Sequence, residues 1–211
     1  MSKRRLRDKN QTVQDILTAA KHLFSERGLH GTSIRDVEEA SGVSKGLILH
    51  HFGAKEKLYA AVQELLSKEY VDMMDAQRQS ARKENLAGKE HLSENFQEMV
   101  TAGIRSAYLH TKGNRDSRRI ALWSYLEGQE RNTELDQGFT MALVKAMRAG
   151  QQAGLVREDI DAFLMPFMIK GAIEYWIQKE KLIQELASKG EHEEEGSDER
   201  LVEALAKLFL K

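Results

Sequence analysis

The chain has 211 residues, one proline and no cysteine. The scarcity of proline favours long helices, and the lack of cysteine excludes disulfides, Cys-ligated metal sites and thiol chemistry. The formal net charge of −1 conceals two regions of opposite sign, because residues 1–58 carry eleven basic and seven acidic side chains while the remainder is net acidic.

The longest uncharged apolar run covers residues 163–169. This run is far shorter than the roughly 20 residues that cross a bilayer, so no membrane partner is expected. The basic N-terminal stretch is followed by no apolar segment and therefore lacks the pattern of a signal peptide. We expect a cytoplasmic protein.

Two helices are predicted near the start of the chain. The first covers residues 12–27, because its apolar side chains recur on one helical face. The second is short and covers residues 33–41. Ser33 and Asp36 have the spacing of a capping box at its start, and Gly42 ends it.

A third, very short helix is predicted over residues 45–51, with Ser44 as its cap. Two helices joined by a turn of about three residues that contains glycine are typical of a helix-turn-helix. The second of them, the recognition helix, exposes small polar and basic side chains at the end that enters the major groove of DNA. Ser44, Lys45 and Gly46 lie at that end. We therefore assign residues 1–58 to a DNA-binding domain.

The rest of the chain has the pattern of helices separated by polar loops. Helices are predicted from residue 55 past residue 78 and over residues 91–110, 117–131, 133–153, 162–188 and 198–210. Loops are predicted over residues 83–89 and over the strongly acidic residues 189–197. No segment has a convincing strand period, so we predict an all-α fold with a larger helical domain over residues 59–211.

Residues 11–62 resemble the tetracycline-repressor (TetR) family of transcription regulators. The resemblance rests on Ala19-Ala20-x-x-Leu23-Phe24-x-x-x-Gly28, on Gly31-Thr32-Ser33-Ile34-Arg35-Asp36-Val37 and on the block at residues 43–58. The remaining residues match the family only in length, helicity and a connector at residues 153–159. The resemblance implies a three-helix DNA-binding domain followed by a variable domain for ligand binding and dimerisation.

Position by position, the resemblance implies a set of DNA contacts on the second, third and fourth helices. The expected phosphate contacts are Ser33, Ser44, Lys45, His50 and Lys55, and the residues expected to reach base edges are Arg35, Lys45, Gly46 and Leu47. Lys55 opens a helix, where a cation opposes the helix dipole, and a nearby phosphate would give a reason for its charge. The basic side chains of Lys3, Arg4, Arg5 and Arg7 form either an arm along the DNA or a solvated tail.

Four positions depart from the family pattern. Leu49 stands where most members have a tyrosine that contacts the DNA backbone, and it can instead touch a thymine methyl group. Glu38 and Ser41 replace two small alanines, and the Glu38 carboxylate is expected to turn outward or to pair with a neighbouring basic group. Ala54 replaces a usual helix cap. These departures affect the predicted DNA contacts rather than the fold.

The C-terminal domain carries aromatic and methionine side chains on its central helices, with a few polar groups among them. Ligand pockets combine an apolar lining with a few converging polar groups, so the candidate ligand contacts are Trp123, Glu127, Met165 and Tyr175. The alternative is that these residues belong to the hydrophobic core. Pro166 marks either a local bend or a later helix start, or it bends its helix in a way that shapes a cavity.

The helices predicted over residues 162–188 and 198–210 are apolar on more than one face, which a single subunit cannot easily cover. Two such helices from each of two subunits form an isologous four-helix interface, and the family resemblance implies the same homodimer. A two-fold dimer presents two recognition helices to successive major grooves, which predicts a palindromic double-stranded operator.

Together these features predict a ligand-responsive transcriptional repressor that a small organic molecule releases from DNA. No cofactor is expected, and no metal site either, since the neighbouring His50 and His51 point about 100° apart on a helix and cannot chelate one ion. Two alternatives stay open. One is a helical interaction protein that kept the fold and lost DNA binding, which Glu38 and Leu49 would support. The other is a helical enzyme, for which the sequence shows no nucleophile–base pair or phosphate loop.

Overall fold

The computed structural model describes residues 9–85, 92–130, 133–190 and 196–211. Within these ranges the chain forms ten helices: α1 (Lys9–Arg27), α2 (Ile34–Ser41), α3 (Lys45–Phe52), α4 (Lys55–Asn85), α5 (Leu92–Gly113), α6 (Arg115–Leu126), α7 (Glu134–Gln152), α8 (Met165–Gln178), α9 (Glu180–Ser188) and α10 (Ser197–Phe209). The predicted all-α fold is confirmed. The basic arm at residues 3–7 and most of the acidic stretch, residues 191–195, lie outside the described ranges.

In the described part of the chain, strand-type backbone pairing is limited to an isolated antiparallel bridge between Val156 and Leu210. This bridge connects the segment after α7 to the end of α10. Among the helices that the structure describes, none combines the length and the apolar character needed to pass through a lipid bilayer.

The chain divides into two compact units. The head unit comprises the described residues of Met1–Glu69 together with Asn114–Thr133, and the body unit comprises those of Tyr70–Gly113 together with Glu134–Lys211. Helix α4 begins in the head unit and ends in the body unit. The compact units therefore differ from the predicted division after residue 58, because the first half of α4 and all of α6 group with the helix-turn-helix.

The head unit is built on one apolar core that joins its helices. Phe24 of α1 packs edge-to-face on Tyr59 of α4, with the ring centroids 4.9 Å apart. Val37 of α2, Ile48 of α3 and Ile120 of α6 are buried in the same cluster. Because burying a side chain of this size stabilises the fold by about 1.5–3 kcal/mol, this core fixes how α2 and α3 are held.

Helix α2 is capped as the sequence predicts. The Asp36 backbone N–H donates to the Ser33 hydroxyl at 3.2 Å, and the Ser33 backbone N–H donates to the Asp36 carboxylate at 2.7 Å. The side-chain and backbone hydrogen bonds from Ser33 hold the pKa of Asp36 below its ordinary value. Gly42 follows α2 in the left-handed conformation, at φ 64°, and ends the helix.

The body unit has a separate apolar core. Its buried side chains include Tyr108 of α5, Met147 of α7, Met165 of α8 and Phe209 of α10. Between α7 and α8, the Arg157 backbone N–H donates to the carbonyl of Phe209 at 2.9 Å. This bond ties the connector after α7 to the end of α10.

The body helices differ from the prediction in two places. Residues 165–188 form two helices with a break at Lys179, rather than the single helix predicted over residues 162–188. Pro166 is the second residue of α8, where a missing N–H interrupts no helical hydrogen bond. The prediction of a later helix start is therefore confirmed, and the prediction of a bend within the helix is wrong.

The loop predicted over residues 83–89 is also partly wrong. Helix α4 continues to Asn85, so the first three of these residues are helical. The other four lie among the residues that the structure leaves undescribed.

Candidate nucleic-acid interface

Helix α3 presents its predicted recognition end to solvent. Ile48 is fully buried and anchors the helix in the head core. Lys45, Gly46, Leu47 and His50 are exposed, and a Cβ added at Gly46 would meet nothing within 4 Å. A small and basic surface is therefore open at the start of α3, as direct contact with base edges requires.

The neighbouring side chains of this segment range from exposed to half-buried. Ser44 is exposed and extended, with φ −60° and ψ 144°, at the N-cap position of α3. Leu49 is half-buried, so only part of its side chain is accessible. His51 is half-buried beside His50, with their ring centroids 5.6 Å apart.

The start of α3 is capped by a side chain from α2. Ser44 makes no side-chain cap hydrogen bond, so the prediction that its side chain caps this helix is wrong. Instead, the Lys45 backbone N–H donates to Glu38 Oε1 at 2.9 Å. A carboxylate at this place is stabilised by an otherwise unpaired N–H and by the positive end of the helix dipole. Glu38 is thus directed at the backbone of the recognition helix.

Two further candidate contacts lie on or beside α2, and both are exposed. The Ser33 hydroxyl belongs to the capping box and lies 2.7 Å from the Asp36 carboxylate. The Arg35 guanidinium forms an exposed ion pair with Glu39, with Nε and Oε1 3.3 Å apart. Exposed ion pairs contribute little to stability, so Arg35 can exchange this partner for DNA.

Lys55 has a structural role that the sequence did not predict, since its side chain binds backbone carbonyls. Its ammonium donates to the carbonyls of Leu29 at 2.8 Å and of Thr32 at 2.9 Å, between α1 and α2. These bonds account for a cation at the start of α4 without any phosphate. An ammonium has three N–H donors, so one remains for another acceptor.

Two of the four predicted ligand contacts instead hold the turn between α1 and α2. The Glu127 carboxylate, just after α6, accepts the backbone N–H groups of Leu29 at 2.9 Å and of His30 at 3.0 Å. The indole N–H of Trp123 donates to the Ser25 carbonyl at 3.2 Å. Both side chains lie in the head unit, and these bonds give them a role in positioning α1 and α2.

Sequence reasoning missed the neighbouring residue Arg119. Its guanidinium donates to the carbonyls of Ser25 at 2.6 Å and of Glu26 at 3.2 Å, at the end of α1. A cation near the C-terminus of a helix satisfies its last carbonyls and complements its dipole. Ser25 lies 94 residues earlier in the chain, and no local sequence pattern indicates this pairing.

The other two predicted ligand contacts, Met165 and Tyr175, differ in their exposure to solvent. Met165 is fully buried in the core of the body unit, whereas Tyr175 is 64% exposed. Lys179 lies over the Tyr175 ring, with its ammonium 5.5 Å from the ring centroid. Met165 thus adopts the alternative of a core position.

The body unit contains a small cavity of about 170 Å³ between α5, α8, α9 and α10. The Lys112 ammonium lies 2.6 Å from one oxygen of Asp198, and the Trp176 indole N–H donates to the other at 3.2 Å. Burial, with a hydrogen bond to Asp198, raises the pKa of the Tyr108 hydroxyl to about 12. This volume is below the roughly 300–1,000 Å³ of typical ligand pockets, and its charged groups already tie α10 to α5 and α8.

Two family models match this chain. Residues 16–62 match the bacterial regulatory proteins of the tetR family, and residues 104–207 match a tetracyclin repressor-like C-terminal domain. Together the two matches cover well over half of the chain.

Two curated relatives share sequence with the chain. The HTH-type transcriptional repressor AcnR of Corynebacterium efficiens is 51% identical over 49 residues, which are 23% of this chain and 26% of AcnR. The match with AcnR therefore spans only about a quarter of that protein. The HTH-type transcriptional regulator TtgR of Pseudomonas putida is 27% identical over 184 residues, which cover 84% of this chain and 85% of TtgR.

Solved structures share the fold. The crystal structure of AibR in complex with isovaleryl coenzyme A and operator DNA has a TM-score of 0.61 at 16% identity, covering 93% of this chain and 97% of the AibR chain. At this identity the likeness concerns the fold alone. With both family models matched and the helix-turn-helix in place, the chain belongs to the tetR family of bacterial regulatory proteins.

Proposed function

We propose that this regulator is a homodimeric repressor that binds a palindromic operator through α3 and releases it when a small organic molecule binds the body unit. The main support for DNA binding is the exposed N-terminal end of α3. Lys45, Gly46 and Leu47 are exposed there, on a helix that the buried Ile48 anchors. The relative AcnR is named as a repressor, which supports this direction of regulation.

The proposed DNA contacts fall into two classes, those to phosphates and those to base edges. Phosphates are bound by Ser33, Ser44, Lys45, His50 and Lys55, whereas base edges are read by Arg35, Lys45, Gly46 and Leu47, with Leu49 against a thymine methyl group. Most of these side chains are exposed on the head unit, which supports the assignment. Lys55 contributes through the single N–H that its two carbonyl partners leave.

The proposed dimer interface uses apolar side chains that one subunit leaves uncovered. On α8, Phe167 is 53% exposed, Met168 43% and Tyr175 64%, and on α10 Leu208 is 41% exposed. Monomeric soluble proteins rarely leave large apolar patches in contact with water. A two-fold axis would pair this surface with its own copy and would make the operator palindromic.

The proposed release acts through α4, which belongs to both units. A ligand in the body unit shifts α4 and so changes the separation of the two recognition helices. Only a ligand with different affinities for the two conformations can cause this shift. The AibR complex, which contains isovaleryl coenzyme A and operator DNA, supports a small-molecule signal. Since the proposed target is chromosomal DNA, the proposed location is the cytoplasm.

Replacing Lys45 with alanine should weaken operator binding, because the change removes a positive charge from the end of α3. The slope of log K against log salt should fall by about 1 if one phosphate contact is lost. The measurement is a fluorescence anisotropy titration of DNA from the gene's own upstream region at several salt concentrations. Lys145→Ala is the matched control, since Lys145 is exposed on α7 in the body unit.

The control should bind DNA as the parent does. If Lys45→Ala also binds as the parent does, the contact assignment on α3 is wrong. If the parent binds upstream DNA no better than a scrambled duplex, the chain is better explained as an interaction protein that kept the fold.

A further inference from the structure

Glu38 contributes a negative charge at the place where the recognition helix begins. Its Oε1 accepts the backbone N–H of Lys45, the first residue of α3, at 2.9 Å. The side chain is half-buried, and the Ser44 hydroxyl does not compete for this bond. The carboxylate is thus fixed by the backbone that it caps.

The start of a helix ordinarily attracts an external anion, because its first N–H groups are unpaired and its dipole is positive there. In α3 an internal carboxylate already occupies this position. A DNA phosphate that approaches the same N–H would meet a like charge. The carboxylate therefore stabilises the helix start and disfavours phosphate at the same point.

Phosphate contacts supply nearly all of the affinity for DNA of any sequence, whereas an operator adds contacts to base edges. We expect phosphates to come closer to the start of α3 in nonspecific complexes, where no base contact fixes the helix, than in the operator complex. A group that repels phosphate at this point therefore weakens nonspecific complexes by more than it weakens the operator complex. Placing an unfavourable charge against the wrong partner is a general route to specificity.

We propose that Glu38 is a specificity-determining residue that caps the recognition helix and uses its charge to suppress nonspecific DNA binding. This inference rests on the proposed binding of an operator through α3. The partner that Glu38 excludes is the sugar-phosphate backbone of DNA that lacks the operator sequence.

The test begins with Glu38→Gln, which keeps an oxygen acceptor for the Lys45 N–H and removes the charge. Nonspecific DNA should bind about fivefold more tightly at low salt, roughly the effect of removing one like-charge pair about 4 Å apart in water. The operator should gain less, so the ratio of the two affinities should fall. High salt should reduce the difference by screening. Glu64→Gln is the matched control, because Glu64 is exposed on α4 in the head unit.

Glu38→Ala tests the capping role separately, because it removes both the charge and the acceptor. It should melt at a lower temperature than Glu38→Gln and bind the operator less tightly. An unchanged nonspecific affinity in Glu38→Gln would overturn the role of the charge. Equal melting temperatures and operator affinities for the two Glu38 variants would overturn the capping role. The unsubstituted protein is measured first. If it shows no preference for operator DNA, the proposed function itself is overturned.

Discussion

At the scale of single residues, Gly28 occupies a place that accepts no side chain. Its φ of +70° lies in the left-handed region, and a Cβ there would fall 2.5 Å from Glu127 Oε1 and 2.9 Å from the Trp123 ring. The Glu127 carboxylate cannot move away without leaving the N–H groups of Leu29 and His30 unpaired. Backbone conformation and packing therefore both require glycine at the end of α1.

Gly28→Ala should lower the free energy of unfolding more than Gly42→Ala does. Gly42 has a similar φ of +64°, but a Cβ there would meet nothing within 4 Å. Both substitutions incur the roughly 1–2 kcal/mol of a left-handed alanine. Gly28→Ala should lose about 1–3 kcal/mol more, because it displaces the Glu127 carboxylate from two N–H groups. Urea unfolding monitored by circular dichroism measures both losses, and equal losses would contradict this account.

The sequence could not place several of these residues because their partners are distant in the chain. Glu127 and Trp123 have the residue types of a ligand site, but their partners lie 97 or 98 residues earlier. Lys55 likewise donates to carbonyls 26 and 23 residues before it. Periodicity and local motifs carry no information on such pairings, whereas the exposed end of α3 follows from short-range pattern alone.

At the scale of elements, the predicted boundaries succeeded where capping residues mark them. Ser33, Asp36 and Gly42 define α2 in both the sequence and the structure. The break between α8 and α9 was missed, because Lys179 is a good helix former and no glycine or proline marks the position. Pro166 signalled a boundary, and the structure shows that it marks the first turn of α8.

Phe167→Glu should convert the proposed dimer into monomers, because it places an unpaired charge in an apolar interface. Leu109→Glu is the control, since Leu109 is 59% exposed on α5, outside the proposed interface. Light scattering coupled to size-exclusion chromatography gives the molar mass of each variant. A parent that elutes as a monomer, or a Phe167→Glu variant that stays dimeric, would rule out this interface.

At the scale of the whole molecule, the near-zero net charge results from a basic region and an acidic region whose charges cancel. The basic residues 1–58 include the candidate DNA surface, while the acidic remainder includes the whole body unit. Helix α4 connects these regions, and its Leu58, Tyr59 and Val62 are buried in the head core. A shift of α4 would therefore act directly on the core that holds α3.

Sequence-specific contact between α3 and a two-fold operator is the central element of the proposed function. DNase I footprinting of the parent on its own upstream region tests this contact directly. We predict one protected region containing two inverted half-sites, with their centres about 34–36 Å apart, or a multiple of this distance. The same region should lose its protection with Lys45→Ala. Uniform protection of any DNA, or none at all, would contradict the account.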